Sequence, residues 1–220
     1  MYTRENTKKI SVGNITIGGN NHIAIQSMTN IKTSHIKEVV NQILELEKAG
    51  CEIIRCSCLD MDDAKAFGEI KRQIHIPIVA DIHFDYRLAL EAINQGVDKI
   101  RLNPGNLRNK DEIIQVVNAC KKKHIPIRIG VNSGSLPKGS EHTALAFVSA
   151  AKYHVSILEE LDFHDIIISM KASDINLCVE AYNLAAKTFP YPLHIGITEA
   201  GTEYSGTIKS SIGLGILLHQ

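Results

Sequence analysis

The chain contains no tryptophan, no CxxC pair, no low-complexity run and no apolar stretch long enough to cross a bilayer. These absences set aside membrane-spanning, fibrous and disordered classes together. Its five cysteines, Cys51, Cys56, Cys58, Cys120 and Cys178, are odd in number. Neither a disulfide framework nor a complete thiolate cluster is indicated, and the thiols read as small buried hydrophobes. An excess of charge of one sign is also missing: 24 basic side chains meet 24 acidic ones. No global field gathers nucleic acid or an anionic membrane, so any anion binding has to be local. The opening MYTRENTKKI lacks the apolar core of a signal peptide, which makes the expected location cytosolic.

What is present fits one globular domain. The sequence has 220 residues, 44% hydrophobic and 22% charged, enough to bury a full core. ISVGNITIGGN, from Ile10, reads as a short hairpin turning at Gly13-Asn14. From Ile23 onward, apolar β-rich runs alternate with amphipathic stretches. The runs are IAIQSMT from Ile23, IIRCSC from Ile53, IPIVADIH from Ile76, KIRLNPG from Lys99, IPIRIGVN from Ile125, IIISMKAS from Ile166 and PLHIGITEA from Pro192, seven in all. Ile36, Val39, Val40 and Ile43 keep helical spacing up to a stop at Gly50, and Ile113 to Cys120 do the same before His124-Ile125-Pro126. Ser173 and Asp174 are cap residues for a further helix, and the stretch after Ser205 reads as the last one.

Strands alternating with helices imply right-handed crossovers and a parallel sheet, either open and doubly wound or closed as a TIM-type (β/α)8 barrel. An open sheet concentrates its chemistry at one switch point behind a glycine-rich phosphate turn, and no GxGxxG or GxxxxGK(S/T) follows the first run. Here almost every run ends in a polar cluster (QSMT, RCSC, ADIH, RLNPG, RIGVN, SMKAS, TEAG), as expected of a barrel whose functional residues come from many strand ends. Residues 1–220 are therefore expected to form one barrel of seven βα units, with the eighth strand missing beyond Gln220.

Residues two apart in a strand project to the same face. Asp81 and His83, Arg101 and Asn103, Arg128 and Asn132, and Ser169 and Lys171 are such pairs, while Ile100, Leu102, Ile129 and Val131 fall on the other face. Arg55 adds a cation on the second run. Three arginines and a lysine converging from four strands are hard to bury without an anion, and guanidinium groups bind phosphate bidentately. A phosphorylated or diphosphorylated small molecule follows, against the plainer reading of internal ion pairs with Asp81 and Glu199. His83 beside Asp81 is a candidate acid, base or orienting donor. Lys171 could instead form a Schiff base. Asn103-Pro104-Gly105-Asn106 reads as a rigid turn offering its backbone N–H groups to the anion.

The runs DIHFDYR (Asp81 to Arg87), RLNPGN (Arg101 to Asn106), RIGVNSGSL (Arg128 to Leu136), SMKASD (Ser169 to Asp174) and GITEAGT (Gly196 to Thr202) occur together and in order. With SMTN near Met28 and SGTIKSSIGLGILL near the end, the chain resembles the 4-hydroxy-3-methylbut-2-enyl diphosphate synthases over essentially its whole length. The resemblance implies a barrel of the pteroate-synthase type holding 2-C-methyl-D-erythritol 2,4-cyclodiphosphate. It also implies a separate C-terminal domain that binds a 4Fe–4S cluster through three cysteines and a glutamate. Flavodoxin or ferredoxin would supply two electrons for reductive ring opening and loss of water, in a homodimer whose cluster domain closes over the partner's barrel. Carried across, it makes Arg55, Arg101, Arg128 and Lys171 the diphosphate clamp, with Ser169 beside it. Asn103, Asn132, Asp81 and His83 become contacts to the erythritol part or their supports, and Thr198 and Glu199 lie at the mouth. Among these, His83, Asp81 and Glu199 are the catalytic candidates. The cluster ligands of the family are not found here, so the five cysteines are not assigned to it and the chain alone is expected to be inactive. Two rival expectations are a Schiff-base or pteridine-type barrel acting on another phosphorylated compound, and a non-catalytic binding module.

Overall fold

A computed structural model describes residues 3–107, 109–136 and 141–219. A hairpin of β1 (Ile10–Val12) and β2 (Ile15–Ile17) comes first, paired antiparallel with Ile10 opposite Ile17. Six parallel strands follow: β3 (Gln26–Met28), β4 (Ile53–Ser57), β5 (Ile78–Asp81), β6 (Lys99–Arg101), β7 (Ile127–Asn132) and β8 (Ile166–Lys171). They pair in chain order into one sheet. Between and after them run α1 (Ile36–Lys48), α2 (Met61–Lys71), α3 (Tyr86–Asn94), α4 (Lys110–Lys123), α5 (Ala144–Glu160), α6 (Ile175–Thr188) and α7 (Glu203–His219). Gln220, where the sequence reading places the break before an eighth strand, lies outside the described residues.

The helices start where the sequence provides acceptors for their unpaired N–H groups. Asp60, Asn109, Thr143 and Asp174 each accept from the backbone N–H three residues on, and Asp85 accepts from that of Arg87. After α1 the chain turns through Gly50 at φ +95, a conformation that a Cβ would strain. His124 takes a similar left-handed turn at φ 54 after α4.

Side-chain alternation separates two apolar layers. Ile100, Leu102, Ile129 and Val131 pack outward into the main core under the helices, as the two-residue period predicts. Ile53, Val79 and Ile167 point the other way and form a second cluster with Ile10 and Val12 of the hairpin. The hairpin thus plugs one end of the sheet's inner surface. The sheet is strongly curled: the Lys99 ammonium on β6 donates to Gln26 Oε1 on β3 at 2.9 Å. Strands three apart in a flat sheet would lie about 14 Å from each other. Half of a barrel wall is built this way, with all strand C-termini at the open end.

The seventh run departs from the expected strand. Leu193 makes a single bridge to Ile168, closed by Ile168 N–H to Pro192 O at 3.1 Å and His194 N–H to Ile168 O at 2.8 Å. Beyond it the ladder is opened by side chains of α6. The Tyr182 hydroxyl accepts from the Met170 N–H at 3.2 Å and donates to His194 O at 2.7 Å, standing where a direct N–H···O bond would be. The Cys178 thiol reaches Met170 O at 3.7 Å and Gly196 O at 3.5 Å. Direct pairing returns with Thr198 N–H to Ala172 O at 3.3 Å. The first run is also shorter than expected, with regular pairing only from Gln26.

Tyr182 is buried, so replacing it by phenylalanine strands a donor and an acceptor that the seam holds apart. Tyr182→Phe is expected to lower unfolding stability by about 1–3 kcal/mol, measured by urea denaturation. An unchanged midpoint would mean that the two strands close up and pair directly.

Candidate functional site

The strand C-terminal ends present their inward side chains to one another. Parallel register aligns Met28 with Arg55, Ser57 with Asp81, Asp81 with Arg101, Arg101 with Arg128, and Asn132 with Lys171. Arg55, Asp81, Arg101, Arg128, Ser169 and Lys171 are brought together as the sequence reading expects, and Lys99 joins them from beneath.

Asp81 is the carboxylate at the centre of the group. Its oxygens lie 3.6 Å from Arg55 Nε, 3.4 Å from Arg101 Nη1 and 4.0 Å from His83 Nε2. These are ion-pair distances longer than a good hydrogen bond. Asp81 Oδ1 is buried with no hydrogen-bond partner. Arg55 directs two nitrogens at the Met28 sulfur, Nη2 at 2.7 Å and Nε at 3.3 Å, a weak acceptor for a guanidinium. Arg128, 2% exposed, donates from Nη1 to Ser169 Oγ at 2.9 Å, and its buried Nε has no partner. The cations are crowded and incompletely satisfied.

Five basic side chains, Arg55, Lys99, Arg101, Arg128 and Lys171, therefore share one inner surface with the carboxylate of Asp81. Burial, then Arg128 and Arg55, draws Lys171 down from 10.5 to about 8. The same three causes draw Lys99 down to about 7. Burial, and next Arg55, brings Arg128 to about 9, yet a guanidinium at that value still keeps its proton at neutral pH. Arg55 is lowered as well, by burial first. His194, on the seventh run, is held well below its usual range by burial and then by Arg128 and Lys171, so it faces the group as a neutral imidazole. The Lys99 and His194 contributions are not in the sequence reading. Lys99 was accessible to it, because it stands two residues before Arg101 on the same strand face.

Two glycines make room. A Cβ on Gly130 would stand 3.1 Å from Arg101 Nε and 3.4 Å from Ser169 Oγ, and one on Gly196 would stand 3.0 Å from Lys171 Nζ. Side chains there would press directly on the cations. Asn103 braces the wall: its amide donates to Gly130 O and accepts from Gly130 N–H, both at 2.8 Å. Both ends of that amide are engaged within the fold, so Asn103 supports the site.

The turn at Pro104-Gly105-Asn106 corrects one expectation. Its N–H groups are consumed internally: Gly105 donates to His154 Nδ1 at 3.1 Å, Asn106 to Asn103 O, and Leu107 to Pro104 O. They are not offered to an anion. His154, buried on α5, is drawn down to about 4 by burial and then by Arg101, which keeps its Nδ1 an acceptor. His83 stands at the rim with its side chain 46% exposed, 3.5 Å from Arg101 Nη1. Half-buried Asn132 ends β7, and half-buried Thr198 lies in the irregular seventh run beside Ala172. Glu199 is exposed at φ 48, and among the described residues no ion pair joins it to the cations.

Residues 7–220 match the GcpE TIM-barrel domain. The chain belongs to the GcpE family. Among curated relatives, the 4-hydroxy-3-methylbut-2-en-1-yl diphosphate synthase (flavodoxin) of Lysinibacillus sphaericus is 57% identical over 98% of this chain and 59% of its own. The protein of the same name from Listeria monocytogenes is 56% identical over 98% of this chain and 60% of its own. This GcpE chain thus spans about three fifths of the length of those relatives. Among solved structures, a type I 3-dehydroquinate dehydratase from Clostridium difficile superposes with a TM-score of 0.65 at 21% identity, covering 87% of this chain and 81% of that one. A dihydropteroate synthase from Xanthomonas albilineans gives 0.61 at 10% identity, covering 97% and 98%. At these identities the likeness carries the fold alone.

The GcpE barrel as described does not fit an iron–sulfur cluster. Its five cysteines are all buried, and burial pushes Cys56 up to about 11 and Cys58 to about 12, away from the thiolate that a cluster requires. Among the described residues no three His, Cys, Asp or Glu side chains converge to hold a metal ion.

The two lowered lysines set a pH dependence. Between about pH 7 and the unfolded value of 10.5 the unfolded chain binds more protons than the folded one, so stability rises with pH in that window. Unfolding free energy at pH 8.5 is expected to exceed that at pH 7 by on the order of 2 kcal/mol, read from urea curves in one ionic strength. A flat or falling trend would show the lysines to be paired.

Proposed function

We propose that this chain is the substrate-holding barrel of a 4-hydroxy-3-methylbut-2-enyl diphosphate synthase and that it binds 2-C-methyl-D-erythritol 2,4-cyclodiphosphate for isoprenoid precursor synthesis. The observation that carries this reading is the imbalance of four inward cations, Arg55, Arg101, Arg128 and Lys171, against the carboxylate of Asp81. A bound diphosphate supplies the missing negative charge. In this reading Arg55, Arg101, Arg128 and Lys171 hold the two phosphates, and Ser169 keeps Arg128 in place. Asp81, buried beside Arg101, and His83, at the rim, orient the erythritol hydroxyls, with Asn132 and Thr198 around them and Asn103 as a brace. His83 is a candidate proton donor to a departing oxygen, because its imidazole reaches the mouth while Asp81 and Arg101 hold its direction. Glu199, exposed at the rim, would serve only if the mouth closes over it.

Two-electron ring opening with loss of water needs a source of electrons. No step is routed through the thiols of this chain. The relatives carry flavodoxin in their names, and we assign electron delivery to the remaining part of the longer protein, with a 4Fe–4S cluster there and flavodoxin or ferredoxin as donor. A cytoplasmic homodimer, in which one subunit's cluster domain meets the partner's barrel, completes the proposal. The chain alone binds substrate without turning it over.

One observation favours a second reading: Lys171, lowered to about 8, is partly unprotonated near neutrality, as a Schiff-base lysine requires. Calorimetric titration of the cyclodiphosphate into the folded chain separates the two. Saturable binding that Arg101→Ala weakens roughly 10- to 150-fold is the expected result. Absence of binding, together with borohydride trapping of a carbonyl phosphate on Lys171, would sink the diphosphate reading.

A further inference from the structure

Lys99 lies below the cations that face the mouth, and its place is unusual for a lysine. It is 1% exposed, and its ammonium has one hydrogen bond, to Gln26 Oε1 across the curl of the sheet at 2.9 Å. Every element around it is accounted for. β3 presents the neutral Gln26, β4 presents Arg55, β5 presents Val79 in direct register, and β7 presents Arg128. β8 presents Ile167 and Ser169, the seventh run presents His194, and the hairpin closes the floor with Ile10 and Val12. Asp81 stands two residues further along β5, engaged by Arg55 and Arg101. Among the described residues no carboxylate meets Lys99, and the charged neighbours that act on it, Arg128 and Arg55, have its own sign. An arginine in that place would keep its charge; a lysine can release it.

Resting on the diphosphate reading above, we propose that Lys99 is a proton-uptake residue beneath the anion site, neutral in the empty barrel and protonated from solvent when a diphosphate binds over it. The amine takes one proton from the buffer and becomes an ammonium; no other bond changes. The anion offsets the local field that Arg55 and Arg128 impose. Diphosphate affinity is thereby tied to pH through a side chain that the anion does not touch. The lowering of Lys99 to about 7 agrees with this placement. Lys171, lowered to about 8, adds a smaller uptake of its own at the mouth.

The test is calorimetric titration of 2-C-methyl-D-erythritol 2,4-cyclodiphosphate into the full chain at pH 8 in Tris and in HEPES, whose ionisation heats differ. Both phosphates of that ring are esterified and do not titrate near pH 8, so protons taken up belong to the protein. Wild type is expected to take up more than one proton, roughly 0.9 from Lys99 and about half from Lys171 on complete protonation. Lys99→Met, which replaces a buried charge by an apolar stem and is expected to fold, should lose most of the larger share. Binding with the same uptake in Lys99→Met overturns the proposal and leaves the diphosphate reading standing. No binding by wild type overturns both. Independently of any variant, side-chain NMR of 13C-labelled lysines should show one resonance titrating near pH 7 in the free chain and moving upward by two units or more with ligand. A free chain without such a resonance overturns the proposal.

Discussion

Like charge held inside a wall of apolar residues is the constraint on which the rest of this structure depends. Uncompensated ions in a low-dielectric surrounding are costly, and here Arg55, Arg101, Arg128 and Lys171 gather over Lys99 with the carboxylate of Asp81 among them. The fold tolerates this because its apolar burial is large and lies elsewhere. The main core under the helices collects the outward faces of all the central strands, and α2 to α6 are each started by a side-chain cap. Stability comes from the outer layer, while the inner layer is left electrostatically unfinished. An inner surface completed by internal ion pairs would be more stable and would have little use for an anion.

Period-two alternation is what made the site legible before any coordinates. It separates Arg101 and Asn103 from Ile100 and Leu102, and Arg128 from Ile129, and both separations hold in three dimensions. Lys99 obeys the same rule, but it begins its strand, where a polar residue reads as a surface boundary. Other features had no sequence signal of that kind. The double hydrogen bond of Asn103 to Gly130 joins residues 27 apart, and an asparagine that braces a wall has the same one-letter appearance as one that meets a ligand. The turn N–H groups at Gly105 to Leu107 are taken up by His154 and by the turn itself, and only the position of α5 decides that.

The seventh run shows how a helix can override a strand propensity. LHIGIT has the β-branched composition of a strand, and Leu193 does pair with Ile168. What interrupts it is not local: Tyr182 and Cys178, one helical turn apart on α6, insert polar atoms between Met170 and the carbonyls of His194 and Gly196. Tyr182 satisfies both backbone groups that it separates, and the one Cys178 S–H is shared between two carbonyls, so most of the opening is bridged by hydrogen bonds. The spacing 178 to 182 reads in sequence only as the buried face of a helix. The seam lies beside Lys171, where Gly196 passes close to the ammonium. The geometry around Lys171 is thereby set by α6 as well as by the strands.

The N-terminal hairpin ties these features together. It stands outside the βα repeat, yet Ile10 and Val12 cover Ile53, Val79 and Ile167 at the end of the inner surface opposite the mouth. With that end covered, the inner surface opens toward the strand C-termini. Water admitted from below would reach Lys99 and Arg128, raise the local dielectric and weaken the field that an incoming anion meets. A segment with no charged group in the site therefore helps to set the site's electrostatics. Its apolar side chains keep the lower cations dry, and dryness is what makes one lysine at that depth responsive to charge bound above it.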